Sequence, residues 1–333
     1  MAKFERALVL VAAVVAAGAA ALAAGGSAGD PWKTPARYEF EYRVGLEKIA
    51  PQGGRVSLWV PYPAENDAQK LLQADVRSPW PWELRTEKKF GNRMIYTEGP
   101  AESAKGDFVL RVEVERRPYA GVRRGAGAFE GNLSPALYGG PDRLVPHSGL
   151  IEKIAREESR GLSTNEEKIQ AFYDYVYRTM TYNKDGKGWG EGDAIWACTS
   201  KRGNCTDFHS LFIGMLRSQE IPARFLIGFP IPDGEGGEIG GYHCWAEFYD
   251  DRTGWLPVDA SEAKKKGLKE AYFGALPNDR IEFTLGRDVV LDPPQKGEAL
   301  NYFIYPYAEV DGKAAGEPVK SFRFRRLPSG VSS

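Results

Sequence analysis

Three residues of this chain combine into a recognisable chemistry: a thiol at Cys205, an imidazole at His243 and a carboxylate at Asp259. Sulfur attacks a carbonyl carbon as thiolate, and a thiol ionises more readily at a helix N-terminus or beside a positive charge. Cys205 stands at such a start. After Gly203-Asn204, residues Phe208, Leu211, Phe212, Met215 and Leu216 recur at the spacing of one helical face, and Pro222 ends the run. Asn204 or Thr206 can cap this helix, and its free N–H groups can hold a developing oxyanion. His243 comes thirty-eight residues later, in the strand pattern Tyr242-His243-Cys244-Trp245-Ala246-Glu247-Phe248, and Asp259 sixteen residues after that, at the end of Gly254-Trp255-Leu256-Pro257-Val258. Sixteen residues suit two neighbouring strands and a turn, which brings imidazole and carboxylate within reach. The imidazole would take the thiol proton while the carboxylate fixes its tautomer.

Other residues compete for these roles. His209 lies one helical turn after Cys205, but no carboxylate is identifiable as its partner, so it reads as structural. Cys198, Cys205, His209, His243 and Cys244 lack the close ligand spacing of a zinc site, and neither metal nor cofactor is expected. Cys198 and Cys244 read as packed thiols or as a disulfide near the site. Tyr182, Trp189 and Trp196 precede the nucleophile and fit an aromatic core before they fit a substrate groove or an oxyanion donor. Trp245 and Trp255 flank the three residues and would shield them from water. Lys264-Lys265-Lys266 reads as a solvated face.

The elements that position these groups follow from the hydrophobic pattern. Tyr38, Phe40, Tyr42, Val44 and Leu46 alternate with polar residues, as do Val56, Leu58 and Val60, and then Phe108, Leu110, Val112 and Val114. Period two marks half-buried strands, so residues 36–117 are expected to form an antiparallel β-sandwich domain. Residues 118–150, rich in Gly, Pro and Arg, read as a connecting loop. The next region, 151–310, opens with the capping box Thr164-x-x-Glu167 and a helix through Ile169, Phe172, Tyr173, Val176 and Met180. Strands follow at Ala223–Phe229, Tyr242–Tyr249, Trp255–Val258, Ile281–Leu285 and Tyr302–Tyr307, an α+β order that packs a helix on an antiparallel sheet. Residues 311–333 read as a C-terminal tail.

Composition excludes several classes. The 333 residues are 42% hydrophobic with a formal net charge of −1 and interleaved charges, so the chain has a core to bury and no basic footprint for nucleic acid or an anionic membrane. Lys3 and Arg6 precede an uncharged Ala/Val/Leu-rich run from Ala7 to Ala24 with Ala21-Leu22-Ala23 as a cleavage site. That order predicts a signal peptide over 1–24, a linker over 25–35 and a periplasmic or secreted protein; an uncleaved single-span anchor is the alternative. Three cysteines in an exported chain leave at least one thiol outside any internal pair.

Gly203-Asn204-Cys205-Thr206-Asp207-Phe208, Ile221-Pro222-Ala223-Arg224, Tyr242-His243-Cys244-Trp245-Ala246-Glu247 and Gly254-Trp255-Leu256-Pro257-Val258-Asp259, in this order, resemble the core of the transglutaminase-like superfamily over roughly residues 160–262. The resemblance implies a papain-like catalytic domain with Cys205, His243 and Asp259 as its triad. It implies metal-free acyl transfer or amide hydrolysis on a protein or peptide substrate through a thioester. One position departs from the pattern: Glu220 stands where the family usually has Gly, at a helix end and away from the chemistry. Leu58-Trp59-Val60-Pro61-Tyr62-Pro63 is similar, more loosely, to the β-sandwich preceding this core in some bacterial members. A binding or scaffold module that keeps the fold without turnover is the alternative from another class.

Overall fold

The computed structural model describes residues 30–47, 49–50, 53–120 and 134–328. The expected signal peptide, part of the linker and connecting loop, and the last five residues lie outside them. The N-terminal half is strand-rich: β1 (Ala36–Gly45), β2 (Arg55–Pro61), β3 (Gln69–Arg77), β4 (Trp82–Thr86), β5 (Arg93–Pro100), β6 (Phe108–Arg116) and the short β7 (Tyr119–Ala120). Helices follow as α1 (Leu150–Glu158), α2 (Asn165–Thr179), α3 (Ala194–Ser200) and α4 (Cys205–Arg217), with the short strands β8 (Thr181–Tyr182) and β9 (Arg202–Gly203) between them. Next come β10 (Ala223–Pro230), β11 (Gly236–Glu238), β12 (His243–Asp250), β13 (Gly254–Val258), α5 (Ala260–Lys266), β14 (Ala275–Leu276) and β15 (Arg280–Leu285). β16 (Tyr307–Val310), β17 (Lys313–Ala314) and β18 (Val319–Leu327) close the described chain.

This is the α+β fold expected from the residue pattern. β1 alternates strictly: Tyr38, Phe40, Tyr42 and Val44 are fully buried, while the residues between them stay half-exposed. The strand-rich region is not assembled from residues 36–117 alone. One five-stranded sheet runs β11-β18-β1-β6-β3, and a second runs β17-β16-β2-β5-β4. The described part of the expected tail, residues 311–328, is therefore built into a sheet: β18 pairs antiparallel with β1 from Arg37↔Leu327 to Gly45↔Val319. Phe322 and Phe324 supply the apolar alternation that makes this a strand, and Phe322 meets Tyr42 at 4.8 Å between ring centroids. The end of the expected linker is docked as well, with Trp32 edge-on to Tyr272 at 4.9 Å.

A third sheet, β13-β12-β10-β15, is antiparallel throughout and carries the expected strands within a residue or two. Tyr302–Tyr307 is the exception. Only Tyr307 enters a strand, because Pro306 has no N–H to donate, and Tyr302 and Tyr305 turn toward Tyr242 instead. α4 is expected to bury one face, yet all thirteen of its residues are buried. The sheet covers one side of it, and α1, α2, α3 and α5 cover the rest. α1, α3 and α5 have no counterpart among the expected elements.

Candidate active site

The start of α4 is built by hydrogen bonds. The Asn204 side chain accepts from the Thr206 N–H at 2.9 Å, and the Asp207 carboxylate accepts from the Asn204 N–H at 2.8 Å, a reciprocal capping box. Asp207 also accepts from the Gly190 and Gly192 N–H groups, which ties the 183–193 loop to the same helical turn. Burial raises the Asp207 carboxyl to about 6 against the pull of these donors. Gly203 is required here: its φ is +147°, and a Cβ would lie 2.2 Å from the Asp207 carboxylate. Cys205 is thus held at the first helical position, only 2% exposed, with its own N–H free of any intrahelical partner.

β12 and β13 form the expected hairpin, in register from Ala246↔Val258 to Asp250↔Gly254. It brings His243, at the start of β12, to Asp259, the residue after β13: His243 Nε2 lies 2.6 Å from Asp259 Oδ2. That leaves Nδ1 for Cys205, and the thiol and the imidazole shift each other's ionisation. The three predicted residues therefore come together at one buried site, with His243 bonded to Asp259. Asp259 is simultaneously the N-cap of α5, where its Oδ1 accepts from the Glu262 N–H at 2.9 Å and from Ser261 Oγ at 3.0 Å.

The electrostatics follow from this arrangement. Burial pushes the Cys205 thiol up, but hydrogen bonds from Cys244 and His243, with the positive charge on His243, carry it well below the ordinary thiol value. Burial works against the imidazolium too, and the charge and hydrogen bond of Asp259 override it and raise His243 to about 10. Asp259 stays well below the carboxylate range despite burial because His243 and Arg280 face it. These opposed shifts favour a thiolate on Cys205 beside an imidazolium on His243.

Residues 152–260 match the profile of the transglutaminase-like superfamily. Over those residues the chain is similar to a transglutaminase-like core. An uncharacterized protein of Haemophilus influenzae is 26% identical over 330 residues, covering 85% of this chain and 88% of its own. Among solved structures, a candidate cysteine protease from Cytophaga hutchinsonii aligns with TM-score 0.59 at 14% identity, over 90% of this chain and 93% of its own. The periplasmic domain of TgpA from Pseudomonas aeruginosa aligns more loosely, with TM-score 0.35 at 15% identity over 71% of this chain and 93% of its own.

Within the transglutaminase-like core, the shared motifs that do no chemistry form its frame. Arg224 and Glu247 are register partners on β10 and β12, fully buried, with Arg224 Nε donating to Glu247 Oε2 at 2.7 Å. The Arg224 guanidinium lies over the Trp255 ring at 4.2 Å, so Trp255 belongs to this frame and does not screen the triad. Trp245 does border the triad, its ring 6.3 Å from that of His243. Glu220 adopts φ +60°, the left-handed position where the family's Gly is at ease.

His209 is placed as a structural residue. Its Nε2 accepts the Ala260 N–H at 3.2 Å, so that nitrogen carries no proton for Asp259 3.6 Å away, and burial lowers its pKa and keeps it neutral. It thereby joins α4 to the start of α5. Cys198, Cys205 and Cys244 are all free, so no bond links Cys198 to Cys244. Burial, with a hydrogen bond and charge from the neighbouring Cys205, pushes the Cys244 thiol well above the ordinary range. Trp189 spends its indole N–H on the Gly186 carbonyl at 3.1 Å, and Trp196 packs over Gly188. Burial and the Cys205 charge raise the Tyr182 hydroxyl pKa.

Two groups of functional neighbours have no signal in the residue pattern. Tyr242 sits next to His243, and its hydroxyl meets Asn204 Nδ2 at 3.0 Å and Thr206 Oγ1 at 2.9 Å, bridging strand and helix across the nucleophile. Arg280, at the start of β15, donates from Nη1 to Asp259 Oδ2 at 2.8 Å. Tyr242 opens a quoted motif, but spacing assigns its hydroxyl no partner, and Arg280 lies in no motif.

Proposed function

We propose that this chain is an exported cysteine acyl-transfer enzyme acting on carboxamides of proteins or peptides, with Cys205 as nucleophile, His243 as acid–base and Asp259 as its orienter. The observation that carries the reading is the buried Cys205–His243–Asp259 chain at a helix N-terminus, with the thiol drawn well below and the imidazole well above their ordinary values. Cys205 Sγ attacks the carboxamide carbon, and the oxyanion takes hydrogen bonds from N–H groups of the first turn of α4. His243 passes its Nδ1 proton to the departing nitrogen, leaving a thioester on Cys205. Water or an amine then gives a proton to His243 and attacks the thioester, which returns the thiolate. Water makes the enzyme a protease or amidase; an amine makes it a transglutaminase.

The test is turnover of glutamine-containing peptides with and without hydroxylamine, read by mass spectrometry. The proposal expects a Cys205-bound acyl adduct, hydroxamate or hydrolysed product, and none of these with Cys205→Ser. Turnover that survives Cys205→Ser would remove the nucleophile, and a wild-type protein that binds peptide without any adduct would favour a binding module.

A further inference from the structure

We propose that Arg280 is a positioning residue of this site: it keeps Asp259 ionised and limits how tightly that carboxylate holds the His243 proton, so that the imidazolium can still protonate an amine leaving group. The inference rests on the acyl-transfer reading above and extends it to a residue outside the triad.

The geometry carries it. Asp259 Oδ2 receives two donors at once, His243 Nε2 at 2.6 Å and Arg280 Nη1 at 2.8 Å. Oδ1 is occupied by the cap of α5. The carboxylate therefore has no oxygen to give to His243 alone. Arg280 is held rigidly for this: it is 1% exposed, its guanidinium lies over the Trp245 ring at 5.3 Å, and Nε and Nη2 each meet Asp279 at 3.3 Å. A guanidinium does not lose its charge in a protein, so this cation is fixed.

The surroundings set the sign. Cys205 and His209 from α4 and Cys244 from β12 face the His243–Asp259 pair. Glu262 from α5, Tyr173 from α2 and Tyr182 from β8 face the pair too, while Asp279 and Tyr272 face Arg280. Among these groups the negative charges of Asp259, the Cys205 thiolate and Glu262 all favour a protonated imidazole. Left alone, they would make His243 a strong base and a poor acid. Arg280, closer to Asp259 than to the Asp279 that offsets part of its charge, opposes them. In acylation the C–N bond breaks as the His243 proton reaches nitrogen, so too basic an imidazole penalises that step. An ester with a stable phenolate leaving group needs no such proton.

The experiment compares acylation of full-length wild type, Arg280→Met and Arg280→Lys by an amide and an aryl ester carrying the same acyl group, across pH. With Arg280→Met the amide rate is expected to fall about 10–100-fold while the ester rate changes less than about threefold. Both limbs of the ester pH profile should move up by about one unit or more, because a nearby cation has been removed. Arg280→Lys should restore most of the amide rate. Where Arg280→Met does not fold, Arg280→Gln, which keeps a donor without the charge, must show the same split. Equal losses on both substrates with an unmoved pH profile would make Arg280 structural and overturn the inference, as would an unaffected amide rate. A wild type that acylates with neither substrate would instead sink the acyl-transfer reading itself.

Discussion

Glu247→Ala should destabilise the protein severely without touching the chemistry. Arg224 and Glu247 are both fully buried, their contact is direct at 2.7 Å, and Arg224 also lies against the Trp255 ring. Removing the carboxylate leaves a guanidinium that neither reaches water nor gives up its proton. Breaking a buried pair from one side costs about 3–5 kcal/mol, a large share of the roughly 5–15 kcal/mol that holds a domain folded. With a urea slope of about 3 kcal/mol/M, the midpoint should drop by about 1–2 M. The double variant Arg224→Met/Glu247→Leu, which replaces the pair by apolar volume, should recover most of that loss. Urea unfolding followed by tryptophan fluorescence measures both. A loss below about 1 kcal/mol for the single variant, or a double variant as unstable as the single, would refute the reasoning that the pair is desolvated and mutually dependent.

His243→Ala should abolish acyl transfer while His209→Ala keeps most of it in the protein that remains folded, as steady-state rates on a peptide amide will report; of the two histidines, His243 is the one whose Nε2 donates to the Asp259 carboxylate. Gly203→Ala should cost activity at least 10-fold, because its Cβ would displace the Asp207 carboxylate from the cap of α4 and tilt the nucleophile. Glu220→Gly should raise the urea midpoint, with a gain of about 0.5–1 kcal/mol, by relieving the left-handed backbone at φ +60°.

The residue pattern carried the catalytic sheet because its strands are local signals. Each of Ala223–Pro230, His243–Asp250 and Gly254–Val258 is a short apolar run with clear punctuation, and sixteen residues allow little but a hairpin between His243 and Asp259. β18 escaped because its partner β1 lies almost the whole chain away, and pairing over that distance leaves no trace in spacing. α3 and α5, seven residues each, are too short for a helical period to stand out, and Asp193 and Asp259 cap them with side chains that read equally well as turn formers. Tyr302–Tyr307 misled because an aromatic-rich run suits a strand, and the contacts that drew it to Tyr242 instead are tertiary. That Cys205, His243 and Asp259 come together was readable from types and order. Arg280 was not, since an arginine opening a strand is ordinary until Asp259 is seen beside it.

The central claim is that Cys205 exists as a thiolate paired with the His243 imidazolium, and the pH dependence of its alkylation in the native protein tests this most directly. Site-resolved mass spectrometry after brief iodoacetamide treatment gives the rate at each cysteine. Cys205 should label first, with an inflection well below the ordinary thiol value of 9.0, since the low thiol pKa keeps sulfur ionised until the pH falls through it. Cys198 and Cys244 should trail, because burial raises both thiols. In His243→Ala the Cys205 inflection should move up toward 9 or beyond, as burial is then met by less opposing charge. Labelling of Cys198 or Cys244 ahead of Cys205, or an inflection near 9 that His243→Ala leaves in place, would contradict the account.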